Sequence, residues 1–429
     1  MPASTTTARA IVSRRTQFAL LVLALSFLAV GGCASQGKVE DDLETDVNLS
    51  DGQQVQNVVS FPFRVAGGAV IYPLKFLFVD MPNGIAGAFQ DELHDSREKL
   101  KSRDADDRLF AVSMLAESAN PAAVPLLVRA LVDAEPVIRA DAALGLARLG
   151  KALVAVGETR GDMPDPLPVE DHLVLRLNDV DVRVRLSVAL AIGDLGGDRC
   201  IEPLQRVYRN QGISDDNASF YLLARARLGD ASARADAHGM LSRVWNPVTI
   251  SNALLALAHL GGEDSLAELR RALAHPDERV NIAAITGLGI AGEYSMLLTI
   301  ARDGTLNQQR SAIYALGQYG GRQYVGVIER YRQSAEPRLR VAATLALGSS
   351  GWPRAVEPLI GLLRDPDAMT RLQALTQLMK LTRLNLGLEP DSWKRWWNSE
   401  GGEFVARNTP DDARLDSDGR GLDPADQPR

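Results

Sequence analysis

The sequence predicts an all-α fold, namely an α-α superhelical solenoid of about nine repeats in which each repeat is a hairpin of two helices. A pattern of small and apolar residues that ends on glycine recurs about every 31 residues between positions 119 and 382. Aromatic residues make up only 5% of the chain, although 46% of its 429 residues are apolar. This composition favours many short, closely packed helices over one large core.

Residues 1–32 are predicted to be a bacterial lipoprotein signal peptide. Arginines precede a stretch at 18–30 that is apolar except for Ser26, which is typical of an export signal and too short to span a bilayer. The segment LAVGGC at 28–33 resembles the bacterial lipobox, and the resemblance implies cleavage before Cys33 and lipidation of its sulfur. An ordinary signal peptide with an incidental cysteine is the alternative.

This segment predicts that the protein is located in the bacterial cell envelope. We expect a lipid-anchored protein that faces the periplasm, in the inner or the outer membrane. Residues 33–56 are polar and should form a flexible tether with a root-mean-square span of roughly 25 Å. The segment 57–98 is rich in apolar and aromatic residues, and we expect it either to cap the first repeat or to lie in the membrane interface.

The repeats occupy residues 99–383, and their second helices share a simple pattern. Residues three and five positions before each terminal glycine are Ala or Gly, and those four positions before it are apolar except for Arg225. Small residues beside an apolar ridge let neighbouring helices approach closely. The terminal glycine suits the left-handed conformation that often ends a helix.

The C-terminal part is predicted to close the solenoid. Trp393, Trp396 and Trp397 have helical spacing within residues 384–405, and we expect them to cap the last repeat, with an exposed binding site as the alternative. Residues 406–429 are rich in Asp, Pro, Gly and Arg and are predicted to be disordered.

The repeat segments PAAVPLL at 121–127 and AVEPLI at 355–360 resemble the HEAT-repeat superfamily, specifically its short HEAT-like repeats of the phycobilisome-lyase type. The resemblance covers residues 100–400 approximately and implies that an aspartate and an arginine bond between neighbouring repeats. Asn281 and Gln309 replace this arginine in middle repeats, which predicts an interrupted ladder. Partner binding is the alternative role of the pairs, which are Asp133/Arg139, Asp179/Arg185 and Asp365/Arg371.

The same resemblance implies that the second helices line the concave side of the solenoid. A helical projection puts the position two residues before each terminal glycine near that surface. A mixed lining of low net charge suits a protein or peptide. The net charge of −7 argues against nucleic acid as a partner. The candidate binding residues are Arg148, Asp194, Arg227, His259 and Gln318.

Two glycine patterns resemble nucleotide-binding motifs but are predicted to be structural. The G-x-G-x-x-G match at 287–292 and the incomplete P-loop match at 145–151 coincide with the small and terminal positions of the repeat. Both motifs require a loop between a strand and a helix. The five histidines have no metal-ligand spacing, and Cys200 is expected to be a small core residue. We therefore expect no catalytic residue, cofactor or metal.

The predicted function is that of a non-catalytic, membrane-anchored scaffold which binds a protein partner in the cell envelope through the solenoid surface. The resemblance to lyase-associated repeats implies a different class of protein as the alternative, a lyase- or chaperone-like factor that acts on an exported client protein. The oligomeric state is left open.

Overall fold

A computed structural model of the chain describes residues 89–409, apart from 119, 160–162, 165, 211–214, 244–245 and 383. The signal peptide, Cys33, the tether, the aromatic segment up to residue 88 and the tail from 410 lie outside the described residues. Every described residue belongs to one compact unit of the chain, residues 66–429.

The described residues form α-helices joined by short turns and 3₁₀ segments, and no β-strand occurs among them. In chain order the helices are α1 Phe89–Lys99, α2 Ala105–Glu117, α3 Val124–Ala130, α4 Pro136–Glu158, α5 Val169–Arg176, α6 Val182–Leu195, α7 Ile201–Tyr208, α8 Asp215–Arg227, α9 Ala233–Arg243, α10 Pro247–Leu260, α11 Glu263–Ala272, α12 Glu278–Ile290, α13 Tyr294–Asp303, α14 Leu306–Tyr319, α15 Val325–Tyr331, α16 Pro337–Ser349, α17 Val356–Leu362, α18 Ala368–Thr382 and α19 Pro390–Asn408.

Odd- and even-numbered helices up to α18 pair into successive hairpins. Each even-numbered helix packs against its own odd-numbered partner and against the even-numbered helices before and after it. The second helices thus form one continuous row from α2 to α18, and the described part of the chain contains nine hairpins. The predicted all-α solenoid of about nine repeats is confirmed.

Glycines in the second helices sit where neighbouring helices almost touch. A Cβ atom on Gly317 of α14 would lie 2.3 Å from the carbonyl oxygen of Ala346 in α16. A Cβ on Gly289 would lie 2.6 Å from the ring of Tyr319, and one on Gly193 would lie 3.0 Å from the Cα of Ala224. Because real Cβ contacts are not this short, the small residues three and five positions before each terminal glycine are required by close packing.

Most terminal glycines have a positive φ angle, at 150, 229, 261, 292 and 351, a region that favours glycine. The ψ angles of Gly150 and Gly261 are 163° and −166°, so these two are not in the left-handed helical conformation that was predicted. The prediction is also wrong at Gly196 and Gly320, whose φ angles are −69° and −79°. Glycine is needed at both for space instead, since a Cβ would lie 2.7 Å from the carbonyl oxygen of Ile192 or Leu316. At Gly150, α4 kinks and continues to Glu158, so the long second interval begins with extra helix.

The C-terminal helix α19 packs against α17 and adds aromatic rings to the core. Trp393 is fully buried, and its Nε1 donates a hydrogen bond of 2.7 Å to the carbonyl oxygen of Gly387. Trp396 and Trp397 are partly buried beside Phe404, with ring centroids 5.5 Å and 6.5 Å from it. The core therefore extends into α19, which ends at Asn408.

Candidate functional site

The predicted aspartate–arginine positions join consecutive repeats. Arg139 of α4 donates from Nε and Nη2 to both carboxylate oxygens of Asp179, at 2.8 Å and 2.7 Å. Its Nη1 donates to the carbonyl oxygen of Asp133 at 2.7 Å. Burial opposes ionisation of Asp179, but hydrogen bonds from Arg139 and from the backbone N–H of Asp181, together with the nearby positive charges, outweigh it and lower the pKa of that carboxyl. The guanidinium of Arg139 thus joins the turn that contains Asp133 to the turn of the next repeat, which contains Asp179.

The same arrangement recurs at both ends of the described repeats. Arg108 binds the Asp133 carboxylate at 2.8 Å, and Arg340 binds that of Asp365 at 2.8 Å. In each predicted pair, the arginine six residues after the aspartate donates to its carbonyl oxygen, as Arg185 does to Asp179 and Arg371 to Asp365. The carboxylate itself is bound by the arginine of the preceding repeat.

Neutral amides replace the ion pair between α12 and α14. Asn281 donates from Nδ2 to the carbonyl oxygen of His275 at 2.6 Å, and Gln308 donates from Nε2 to Asn281 Oδ1 at 3.2 Å. Gln309 bonds locally to the carbonyl oxygen of Arg302. Roles for Asn281 and Gln309 were predicted from the sequence but none for Gln308, because Gln308 lies one residue before the position that arginine occupies in the ladder.

Arg225, the exception in the apolar ridge, lies in a buried polar network. Its Nε donates to Asp230 at 2.7 Å, its Nη1 donates to Asp236 at 2.8 Å, and its guanidinium lies 4.7 Å from the ring centre of Tyr208. Burial of Asp230 is outweighed by hydrogen bonds from Gln205 and other neighbours, which lower its pKa to about 2. The sequence signal that could have revealed this network was a charged residue in an otherwise apolar position.

The candidate binding residues on the second helices are accessible to different degrees. His259 and Gln318 are exposed and Arg148 and Asp194 are half-buried, whereas the side chain of Arg227 is only 6% exposed. Arg227 of α8 donates from Nη1 to Asp194 Oδ1 of α6 at 3.0 Å, so the structure brings these two residues together. We call the five residues the second-helix row.

Three groups around this ion pair have strongly shifted pKa values. Desolvation lowers the pKa of Arg227 to about 10, and desolvation together with the positive charge of Arg227 lowers that of His259 to about 4. Burial raises the pKa of Tyr319 to about 12, with Arg227 opposing and Asp194 adding to the shift. At neutral pH the cluster therefore presents a neutral imidazole and a neutral phenol beside a closed ion pair. Tyr319 was not identified from the sequence, since the helical projection selected its neighbour Gln318.

Asp141 lies two turns before Arg148 on α4 and is almost fully buried. Burial raises the pKa of Asp141 to about 6, against the opposing effect of Arg148. Within the described part of the chain, its Oδ1 atom accepts no hydrogen bond. Asp141 is therefore the most strongly desolvated carboxyl near the second-helix row.

The nucleotide-like motifs have the structural role that was predicted for them. Gly287 and Gly289 lie inside α12, and residues 145–151 lie in α4 around its kink. Among residues 89–409, as far as they are described, no three His, Cys, Asp or Glu side chains are grouped to hold a metal ion. Cys200 is buried, which raises the pKa of its thiol.

No helix in the described range has the length and hydropathy that a membrane crossing requires.

Comparison with protein families identifies the repeats. Residues 97–159 and 294–380 match the model of HEAT repeats, and residues 184–210 match that of the PBS lyase HEAT-like repeat. No curated protein matches the chain significantly.

Several solved structures are similar at low sequence identity. An engineered protein is 18% identical, with 75% of this chain and 95% of that chain covered and a TM-score of 0.32. Human deoxyhypusine hydroxylase in complex with glycerol is 17% identical, with coverages of 70% and 98% and a TM-score of 0.28. The complex of CpcE and CpcF of phycocyanin lyase from Nostoc sp. PCC7120 is 19% identical, with coverages of 67% and 94% and a TM-score of 0.33.

The prediction that the protein is not an enzyme is wrong. It relied on the lack of a catalytic motif, whereas residues 184–210 match a repeat type named for lyases. The same helical hairpins thus occur in enzymes and in binding proteins, and a missing motif does not separate the two.

Proposed function

Because this chain belongs to the HEAT-repeat superfamily, with a PBS lyase HEAT-like repeat at 184–210, we propose that it is a scaffold which binds a protein partner across its second helices. The observation that carries the proposal is the continuous row of even-numbered helices from α2 to α18. Stacked hairpins of this kind offer an extended surface, and HEAT repeats generally mediate protein interactions.

The chemistry of the second-helix row suits a protein surface. The Asp194–Arg227 pair is neutralised internally, and a His259 pKa of about 4 leaves the imidazole uncharged at neutral pH. A partner therefore meets hydrogen-bonding groups of low net charge, which favours peptide amides and side-chain amides over a polyanion.

The proposed setting is the bacterial cell envelope, with Cys33 as the lipid anchor. Anchoring confines the repeats near a partner in the same compartment and raises their effective concentration. Replacement of Cys33 by Ser tests this part, and metabolic labelling with an alkyne fatty acid followed by membrane fractionation is the measurement. We expect loss of both label and membrane association in Cys33→Ser; an unchanged membrane fraction would contradict the anchor.

The binding surface is tested by site-specific photocrosslinking in cells. A photoreactive amino acid at Gln318, on the exposed second-helix row, should give one discrete crosslinked protein. The matched control places the same amino acid at Arg206 in α7, a first helix, where the side chain is 74% exposed. Equal crosslinking from both positions, or none from Gln318, would contradict the proposed surface.

A second candidate is a lyase- or chaperone-like factor that acts on an exported client protein. The match of residues 184–210, which cover most of α6 and all of α7, favours it. Intact-mass measurement of the crosslinked client, purified from cells with and without this protein, distinguishes the two. A covalent mass difference supports the lyase-like factor, whereas an unchanged client mass supports the scaffold.

A further inference from the structure

A small cavity lies between the beginnings of α12 and α14, in the part of the solenoid where amides replace the ion pair. Its volume is about 190 Å³, and its walls combine Glu278, Asn281, Thr305 and Gln308 with Ile282 and Ile285. Asn281 stands at the sequence position that Arg139 and Arg340 occupy in their repeats.

Two repeats that have an arginine at the position of Asn281 show which contacts this side chain makes. Arg139 donates from Nη1 to the carbonyl oxygens of Asp133 and Ala134, at 2.7 Å and 3.0 Å. Arg340 donates in the same way to two consecutive carbonyl oxygens, those of Ser334 and Ala335. The turn before each second helix is thus shaped as an acceptor for a planar guanidinium, which brings five N–H donors in a fixed geometry.

In the α11–α12 turn, the side chain at the arginine position binds only one of the two corresponding carbonyl oxygens. Asn281 stands at the arginine position, and its shorter side chain reaches the carbonyl oxygen of His275, the counterpart of Asp133. Pro276, the counterpart of Ala134, lines the cavity instead. The volume left by the shorter side chain is therefore bordered by the turn that binds a guanidinium elsewhere.

One carboxylate in the cavity wall, that of Glu278, adds the negative charge that a cation requires. Asp303, at the sequence position of Asp179 in the earlier repeat, does not line the cavity and pairs with its exposed neighbour Arg302.

We propose that this cavity binds the guanidinium of an arginine side chain presented by a protein partner. The incoming arginine supplies from outside the group that Arg139 and Arg340 supply from their own second helices. A lysine ammonium is a poorer fit, because it lacks the planar fork that binds a carbonyl pair and a carboxylate together. The proposal goes beyond partner binding on the second-helix row and can be tested without the partner.

The first experiment titrates the full-length protein with N-acetyl-arginine methylamide and follows binding by calorimetry and ligand-observed NMR. The lysine analogue and the neutral citrulline analogue are the comparison probes. We expect the arginine probe to bind at least about tenfold more tightly than either. Equal binding of the lysine probe, or no binding of the arginine probe, would overturn the proposal.

Single substitutions test whether the arginine probe binds in this cavity. Asn281→Arg should fill the cavity from within and abolish probe binding while the helical circular dichroism stays unchanged. Glu278→Gln should weaken binding several-fold, and its matched control Glu357→Gln, an exposed change of the same charge on α17, should leave it unchanged. If Asn281→Arg does not fold, the Glu278/Glu357 comparison decides; equal affinities of those two variants would overturn the assignment.

Discussion

The α4/α6 and α12/α14 junctions connect second helices in the same topology but with different chemistry. At α4/α6, Arg139 and Asp179 form an ion pair whose side chains are 9% and 5% exposed. At α12/α14, Asn281 and Gln308 share a neutral hydrogen bond, and Gly289 lets the Tyr319 ring lie against the helix backbone. One junction depends on a buried charge pair and the other on amides and close backbone approach.

The difference teaches that the repeat specifies a helix separation, not a particular contact. Stability in a solenoid is roughly the sum of repeat and interface contributions, so different interfaces can be used along one chain. The charged junction should be the one most sensitive to loss of a single partner or to acid. The amide junction should be sensitive mainly to added volume.

The largest effect is expected from breaking the charged junction. Arg139→Met leaves the carboxylate of Asp179 buried without its cation, and we expect the free energy of unfolding to fall by about 3–5 kcal/mol. Urea denaturation measures it. Arg183→Met, which removes an exposed partner of Asp181, is the control and should cost under about 1 kcal/mol. Equal losses would mean that burial of the pair does not matter.

The next largest effect should come from added volume at a close backbone approach. Gly317→Ala places a Cβ against the Ala346 carbonyl, and we expect a loss of about 1–3 kcal/mol from forced separation of α14 and α16. Gly402 is an exposed residue of α19, and a Cβ there meets nothing within 4 Å, so Gly402→Ala should instead raise the free energy of unfolding by up to about 1 kcal/mol. Thermal unfolding compares the two, and a destabilised Gly402→Ala would remove the packing explanation.

A smaller loss should follow removal of the amide link. Gln308→Met keeps the side-chain length but gives up the hydrogen bonds to Asn281 and to the carbonyl oxygen of Leu273 and the cap on the Thr305 amide, with an expected cost of about 1–2 kcal/mol. Gln333→Met at an exposed position is the matched change. Free energies of unfolding from denaturant titration of the two variants should differ by this amount. A loss as large as that of Arg139→Met would contradict the ranking of the two junctions.

The smallest effect is a difference in acid sensitivity along the chain. Asp133 and Asp179 have lowered pKa values in the folded state. Their contribution is therefore present above the unfolded pKa of about 4 and is lost as the pH falls through the folded pKa. The Asn281–Gln308 link does not titrate in this range.

A pair of substitutions can detect it. Asp179→Asn removes the titrating carboxyl of the charged junction, so the free energy of unfolding should depend less on pH below about 4 than in the wild type. Gln308→Met, which changes the amide junction, should keep the pH dependence of the wild type, and urea denaturation at a series of pH values measures both. The same pH dependence in both variants would contradict the expected difference.

Much of the fold could be predicted from the sequence because the same pattern of small and apolar residues recurs in the second helix of each repeat. The small residues at Gly193, Gly289 and Gly317 predicted close helix approach without knowledge of the neighbour. The site was less predictable. Gln308 and Tyr319 act through contacts that depend on helix phase, and a shift of one position separates Gln318 from Tyr319.

The buried Trp393 of α19 also has a consequence for assembly. A stack of hairpins has no intrinsic length, and an uncovered last hairpin would accept the first hairpin of another molecule, as the monomers of a fibre do. Helix α19, with Trp393 and Phe404 in the core, packs against α17 and so covers the first helix of that hairpin, which disfavours end-to-end polymerisation there. Gene duplication can therefore lengthen the array from within while the same terminal helix keeps it finite.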